Sequence, residues 1–149
     1  MQARYQAFLK DAIKRIGHAD TTNSQELDRV GRDLFQGKWV GTVPRDRIPP
    51  RKKDSYLICN LDASGKQTIF HWVCRYVTKE GKALWHDPLG ESGADQASQL
   101  VRQVRALWTD DDNFDDASHQ ADAEDNCGQR CIAALRIAKE MGPDAFMSL

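Results

Sequence analysis

Residues Phe70 to Pro88 leave the chain few folds to choose from. Phe70-His71-Trp72-Val73-Cys74-Arg75-Tyr76-Val77 is an apolar run rich in β-branched and aromatic residues, which predicts a strand with at least one buried face. Lys79-Glu80-Gly81-Lys82 suits a tight hairpin turn. Ala83-Leu84-Trp85-His86-Asp87 is then the returning strand, stopped by Pro88 and Gly90. His71 and Asp87 thereby fall on adjacent strands.

The other elements are arranged around that hairpin. Tyr5, Phe8, Leu9, Ala12, Ile13 and Ile16 recur at helical spacing and Gly17 supplies a stop, so an amphipathic helix is predicted over residues 2 to 16. Thr21-Thr22-Asn23-Ser24 offers an N-cap for a second helix carrying Leu27, Val30, Leu34 and Phe35. Strands are expected from Trp39 to Val43, Tyr56 to Leu61, Ile69 to Val77 and Leu84 to Asp87, with Asp62-Ala63-Ser64-Gly65 as a turn. Helices resume at about Ala94 to Trp108 and Cys127 to Met141. There is no repeat and no linker. Residues 1 to 149 are expected to form one α+β domain, a mostly antiparallel central sheet flanked by helices. A chain of that length buries about two-thirds of its unfolded surface, enough for a core without staples.

Chemistry concentrates at Asn126-Cys127-Gly128, where a thiol stands at the start of the apolar helix that carries Ile132-Ala133-Ala134-Leu135. The exposed N–H groups and positive dipole end of a helix favour thiolate over thiol, and a following glycine lets a substrate carbonyl approach the main chain. A base for that thiol is available. A neutral imidazole at His71 needs its second nitrogen held by an acceptor, which Asp87 supplies across the strand pair. Gln120, seven residues before Cys127, carries an amide donor for the oxyanion hole, alongside the main-chain N–H of Cys127. His86 and His119 neighbour these positions and are expected to be exposed. Cys131, one helical turn after Cys127, reads as helix packing or as a redox partner. Cys59 and Cys74 lie in apolar strands and read as reduced, buried thiols, which points to a reducing compartment. The four cysteines form no CxxC pair, so a structural zinc site has little support.

His71-Trp72, Trp85-His86-Asp87-Pro88-Leu89-Gly90, Gln120 and Asn126-Cys127-Gly128, in that order, resemble the signature of the adenain-like viral cysteine proteases, a group related to the SUMO-deconjugating proteases. The likeness extends upstream through Ser24-Gln25-Glu26-Leu27, Phe35, Trp39-Val40-Gly41-Thr42 and Asp46-Arg47-Ile48-Pro49, covering roughly residues 22 to 140. The helix at 2 to 16 lies outside it. The resemblance implies that fold and a cysteine endopeptidase, a viral maturation protease that cleaves capsid or core precursors after Gly or Ala. Its site would be His71, Asp87 and Cys127, with Gln120 in the oxyanion hole. The residues themselves point the same way on specificity, since Gly128 and the neighbourhood of Trp72 imply a narrow channel beside the thiol. Two alternatives stay open: an isopeptidase that removes ubiquitin-like modifiers, and a catalytically silent binding module.

Charge bounds the partners. The net charge is −1, which predicts no strong nucleic-acid field, and the dense positive stretch Arg45, Arg47, Arg51, Lys52 and Lys53 is broken by Pro44, Pro49 and Pro50 and reads as a solvated loop. A DNA cofactor is therefore not carried over from the family, although an activating peptide is compatible with it. Protein substrates are the expected partners. No metal or organic cofactor is required by the chemistry, no run suits a membrane span, and the charged first ten residues do not read as a signal peptide. The expected location is a virion or the interior of a host cell rather than a secreted one. Thr109 through Asp125 is strongly acidic and reads as a solvated loop, or alternatively as part of a cleft selecting basic or polar residues.

Overall fold

Helix α1 spans Gln2–Ile16 in the computed structural model, which describes residues 1–61, 71–88, 113–115 and 126–149. Its apolar positions Tyr5, Phe8, Leu9, Ala12 and Ile16 are all buried, and Gly17 closes it in the left-handed conformation (φ 100°), donating its N–H to the Ile13 carbonyl. Helix α2, Ser24–Phe35, starts on a full capping box: the Asn23 side chain accepts the Glu26 N–H at 2.9 Å and the Glu26 carboxylate accepts the Asn23 N–H at 3.0 Å. Leu27, Val30 and Phe35 face inward. Gly31 is there because a side chain would run into the Trp39 indole, whose Nε1 donates to Asp28 Oδ1 at 3.0 Å.

Five strands follow: β1 (Trp39–Pro44), β2 (Ser55–Asn60), β3 (Trp72–Val77), β4 (Ala83–His86) and β5 (Asn113–Asp115), hydrogen-bonded in that order. β2, β3 and β4 are antiparallel neighbours as the hairpin pattern predicts, with Ser55 opposite Val77, Asn60 opposite Trp72 and Cys74 opposite His86. The two outer pairs are parallel, so the sheet is mixed rather than mostly antiparallel. At the β1 edge the cause lies in the proline-broken basic stretch. Residues 45–54 cross back over the sheet as a loop that leaves Arg47, Lys52 and Lys53 exposed, while Ile48 packs on Leu57, Cys59, Leu61, Val73 and Trp85 and the Pro49 carbonyl accepts Arg75 Nη1 at 3.1 Å. At the other edge, Asn113–Asp115 forms a strand beside Leu84–His86, within the acidic stretch where no strand was expected.

Helix α3 (Cys127–Met141) is buried from Cys127 through Leu135 and again at Ile137 and Ala138, because it is packed between α1 and the sheet. The short helix α4 (Pro143–Met147) seats Phe146 against Tyr76 and His86. The main core therefore lies between α1, α2, α3 and one face of the sheet, through Tyr56, Ile58, Trp72, Cys74, Tyr76 and Leu84. Both faces of the central strands are covered. The turn expected at Asp62 to Gly65, the start of the third strand at Ile69 and Phe70, and the helix expected at Ala94 to Trp108 lie outside the described residues.

Candidate active site

His71 stands one residue before β3 and Asp87 one residue after β4. The ladder carries on past the strand ends, with the Leu61 N–H donating to the His71 carbonyl at 3.0 Å. Extending the β3–β4 register by one step sets Asp87 opposite Val73, two residues from His71 on the same side, a diagonal that long side chains span. They do meet: His71 Nε2 lies 2.6 Å from Asp87 Oδ1, and the two residues are 5% and 1% exposed, so solvent screens the pair little.

The third member arrives on α3. Cys127, the first residue of that helix, makes a side-chain hydrogen bond with His71. Burial alone would pull the His71 pKa down. The hydrogen bond His71 donates to Asp87, then the one it makes with Cys127, and the charges of both outweigh it and hold the imidazolium up to about 10. His71, Asp87 and Cys127, predicted from separate segments, thus converge. Gln120 and His119 lie outside the described residues, as does most of the acidic stretch.

The remaining thiols are poor nucleophiles. Cys59 and Cys131 are fully buried; desolvation pushes the Cys59 thiol up to about 12 and drives Cys131 well above its usual range, reinforced there by a hydrogen bond with Cys74. Cys74, equally buried, has its sulfur 3.8 Å from the His86 carbonyl. His86, expected at the surface, is instead fully buried, with its ring edge-on to Phe146 at 5.9 Å, because β4 is covered on both faces and α4 closes over it.

Packing accounts for two residues near the thiol. A Cβ on Gly128 would collide with Thr22 Oγ1 and lie 3.1 Å from a Leu27 methyl, so this glycine serves close packing against the α1–α2 connection. Trp72 is 4% exposed and belongs to the helix-facing core. Two sets of contacts beside the thiol were not anticipated. Asn126, an obvious N-cap by type, does not cap α3; its side-chain carbonyl accepts Arg130 Nε at 3.0 Å. Gln129, fully buried, donates its amide to the carbonyls of His18 at 3.0 Å and Asp20 at 2.9 Å. The signal available was a glutamine and an arginine inside an otherwise apolar helical run.

No family model matches the chain, and no curated protein does. Among solved structures it is similar to the central domain of the uncharacterized protein Lpg1148 from Legionella pneumophila, at 15% identity and a TM-score of 0.43, over 84% of this chain and 80% of that one. A likeness that slight bears on neither fold family nor function. Among the described residues no helix is long and apolar enough to cross a membrane, and no group of three His, Cys, Asp or Glu side chains is placed to hold a metal ion.

The geometry by itself supports a defined chemistry. A thiol at a helix start, in hydrogen-bond contact with an imidazole that a buried carboxylate orients, is the arrangement that generates a nucleophile and keeps a proton ready for a leaving group. A groove of about 310 Å³ lined by Arg4, Phe8, Leu34, Arg136, Lys139 and Glu140 lies toward the other end of α3 and includes none of these residues.

Proposed function

We propose that this chain is a cysteine peptidase of the adenain-like kind, acting on protein precursors such as those of viral capsids or cores. The observation that carries the proposal is the His71 ring bridging Asp87 and Cys127. His71 takes the thiol proton, and the Cys127 sulfur adds to a peptide carbonyl carbon. Main-chain N–H groups at the start of α3 and the Gln120 amide receive the oxyanion. His71 then passes its proton to the departing amine as the C–N bond breaks, and water hydrolyses the thioester to return the thiol. Preference for Gly or Ala before the cut bond rests on the family resemblance alone, now that Gly128 and Trp72 are accounted for by internal packing.

Two assays in parallel test this. A peptide library should yield cleavage products with wild-type protein and none with Cys127→Ala, while a panel of ubiquitin-like activity probes stays unlabelled. Probe labelling without peptide cleavage selects the isopeptidase instead, and neither reaction together with preferential iodoacetamide labelling of Cys131 over Cys127 removes the enzyme assignment. Matched peptides with Gly or Phe at the residue before the cut should differ strongly in kcat/KM, and equal values refute the small-residue preference.

A further inference from the structure

The first turn of the nucleophile helix is attached to a part of the chain with no counterpart in the chemistry. α3 begins without a side-chain cap, and the segment Gly17 to Asn23 between α1 and α2 lies against its opening residues. Gln129 reaches into that segment with both of its amide hydrogens used, one on the His18 carbonyl and one on the Asp20 carbonyl. Its amide cannot be flipped, since Oε1 would then face two carbonyl oxygens; Oε1 as placed has no partner among the described residues. Gly128 adds a fit in which Thr22 and Leu27 occupy the space of a side chain. The segment is itself tied down, because the His18 ring meets Glu26 at 2.5 Å and Glu26 closes the capping box of α2.

We infer that Gln129 is a positioning residue for Cys127, fixing the first turn of α3 on the α1–α2 connection so that the sulfur is held at His71. The inference rests on Cys127 being the nucleophile that His71 serves. Gln129 lies two residues past Cys127, and a rotation of that single turn swings the sulfur away from the ring while leaving the rest of α3 in its packing. Displacements of about 1 Å at a reacting centre cost up to about 100-fold in rate.

The readout is the His71 imidazole, followed by NMR titration in the whole chain, because Asp87 and Cys127 are the groups that set its midpoint near 10. Cys127→Ala gives the midpoint of a site lacking the thiol's contribution. Gln129→Met, close in volume but without donors, should move the His71 midpoint toward that of Cys127→Ala. Gln129→Asn, which keeps the amide on a shorter stem, should fall between Gln129→Met and wild type. In the peptidase assay Gln129→Met should lower kcat roughly tenfold with KM unchanged. A residue that only stabilises the fold would lower Tm and leave the His71 midpoint where it was. A wild-type midpoint in folded Gln129→Met overturns the inference, as does one in Gln129→Asn should the Met variant not fold. A wild-type chain that cleaves no peptide while Gln129→Met still shifts His71 refutes the peptidase reading and leaves the positioning role standing.

Discussion

At His71 the folded chain keeps a proton that the unfolded chain surrenders, and stability carries the mark of it. The midpoint rises from 6.5 to about 10 on folding despite the burial that opposes it. Below 6.5 both states are protonated and the full benefit of the Asp87 contact is present. Between 6.5 and about 10 His71 holds a proton in the native state that it lacks in the unfolded state, so the contribution of this group declines as pH rises and is gone above the folded midpoint. The expected result is that urea midpoints of wild type minus those of His71→Gln shrink steadily from neutral pH to pH ~10. Asp87→Asn, which keeps the shape and removes the charge, should compress that decline to a lower pH range. A difference that stays flat with pH would show that His71 holds no extra proton.

Among the elements, α3 joins Cys127 to the core, and its first turn is tightly packed at Gly128. Gly128→Ala should cost about 1–3 kcal/mol by overpacking against Thr22 and Leu27, and the double variant with Thr22→Ala should recover part of it. Equal losses in the single and double variants, measured by chemical unfolding, would place the strain elsewhere. The elements best legible in the sequence were those with a strong period or a strong stop: α1 with Gly17, α2 with Asn23, the β3–β4 hairpin, and α3 itself. His71, Asp87 and Cys127 were readable because each chemistry needs a particular residue type at an element's end. What stayed hidden depended on contacts distant in sequence. Ile48 fills the second face of the sheet from a stretch that looks like a charged loop, and this turns the expected antiparallel edge into a parallel one. Gly128 has the sequence look of a substrate-side glycine, and only the placement of Thr22 reveals its packing role.

For the molecule as a whole, α1 is a structural part of the fold although it stands outside the family likeness. Burying Tyr5, Phe8, Leu9, Ala12 and Ile16 is worth several kcal/mol at about 1.5–3 kcal/mol for each large side chain, comparable to the roughly 5–15 kcal/mol that keeps a domain folded. A chain begun at His18 should therefore lose cooperative unfolding and NMR dispersion; native-like spectra from it would mean that α1 is a dispensable appendage.

The partners of α1 lie far along the chain: Arg4 is paired with Glu140 across a separation of 136 residues, and Arg136 is stacked over Phe8 at 4.1 Å. During synthesis at about 5–20 residues per second, the apolar face of α1 waits roughly 10 s for the helix that covers it. Until then His71 and Asp87 stand without Cys127 beside them. The nascent protein is thus adhesive, and the same docking event that hides its stickiness brings the three side chains together.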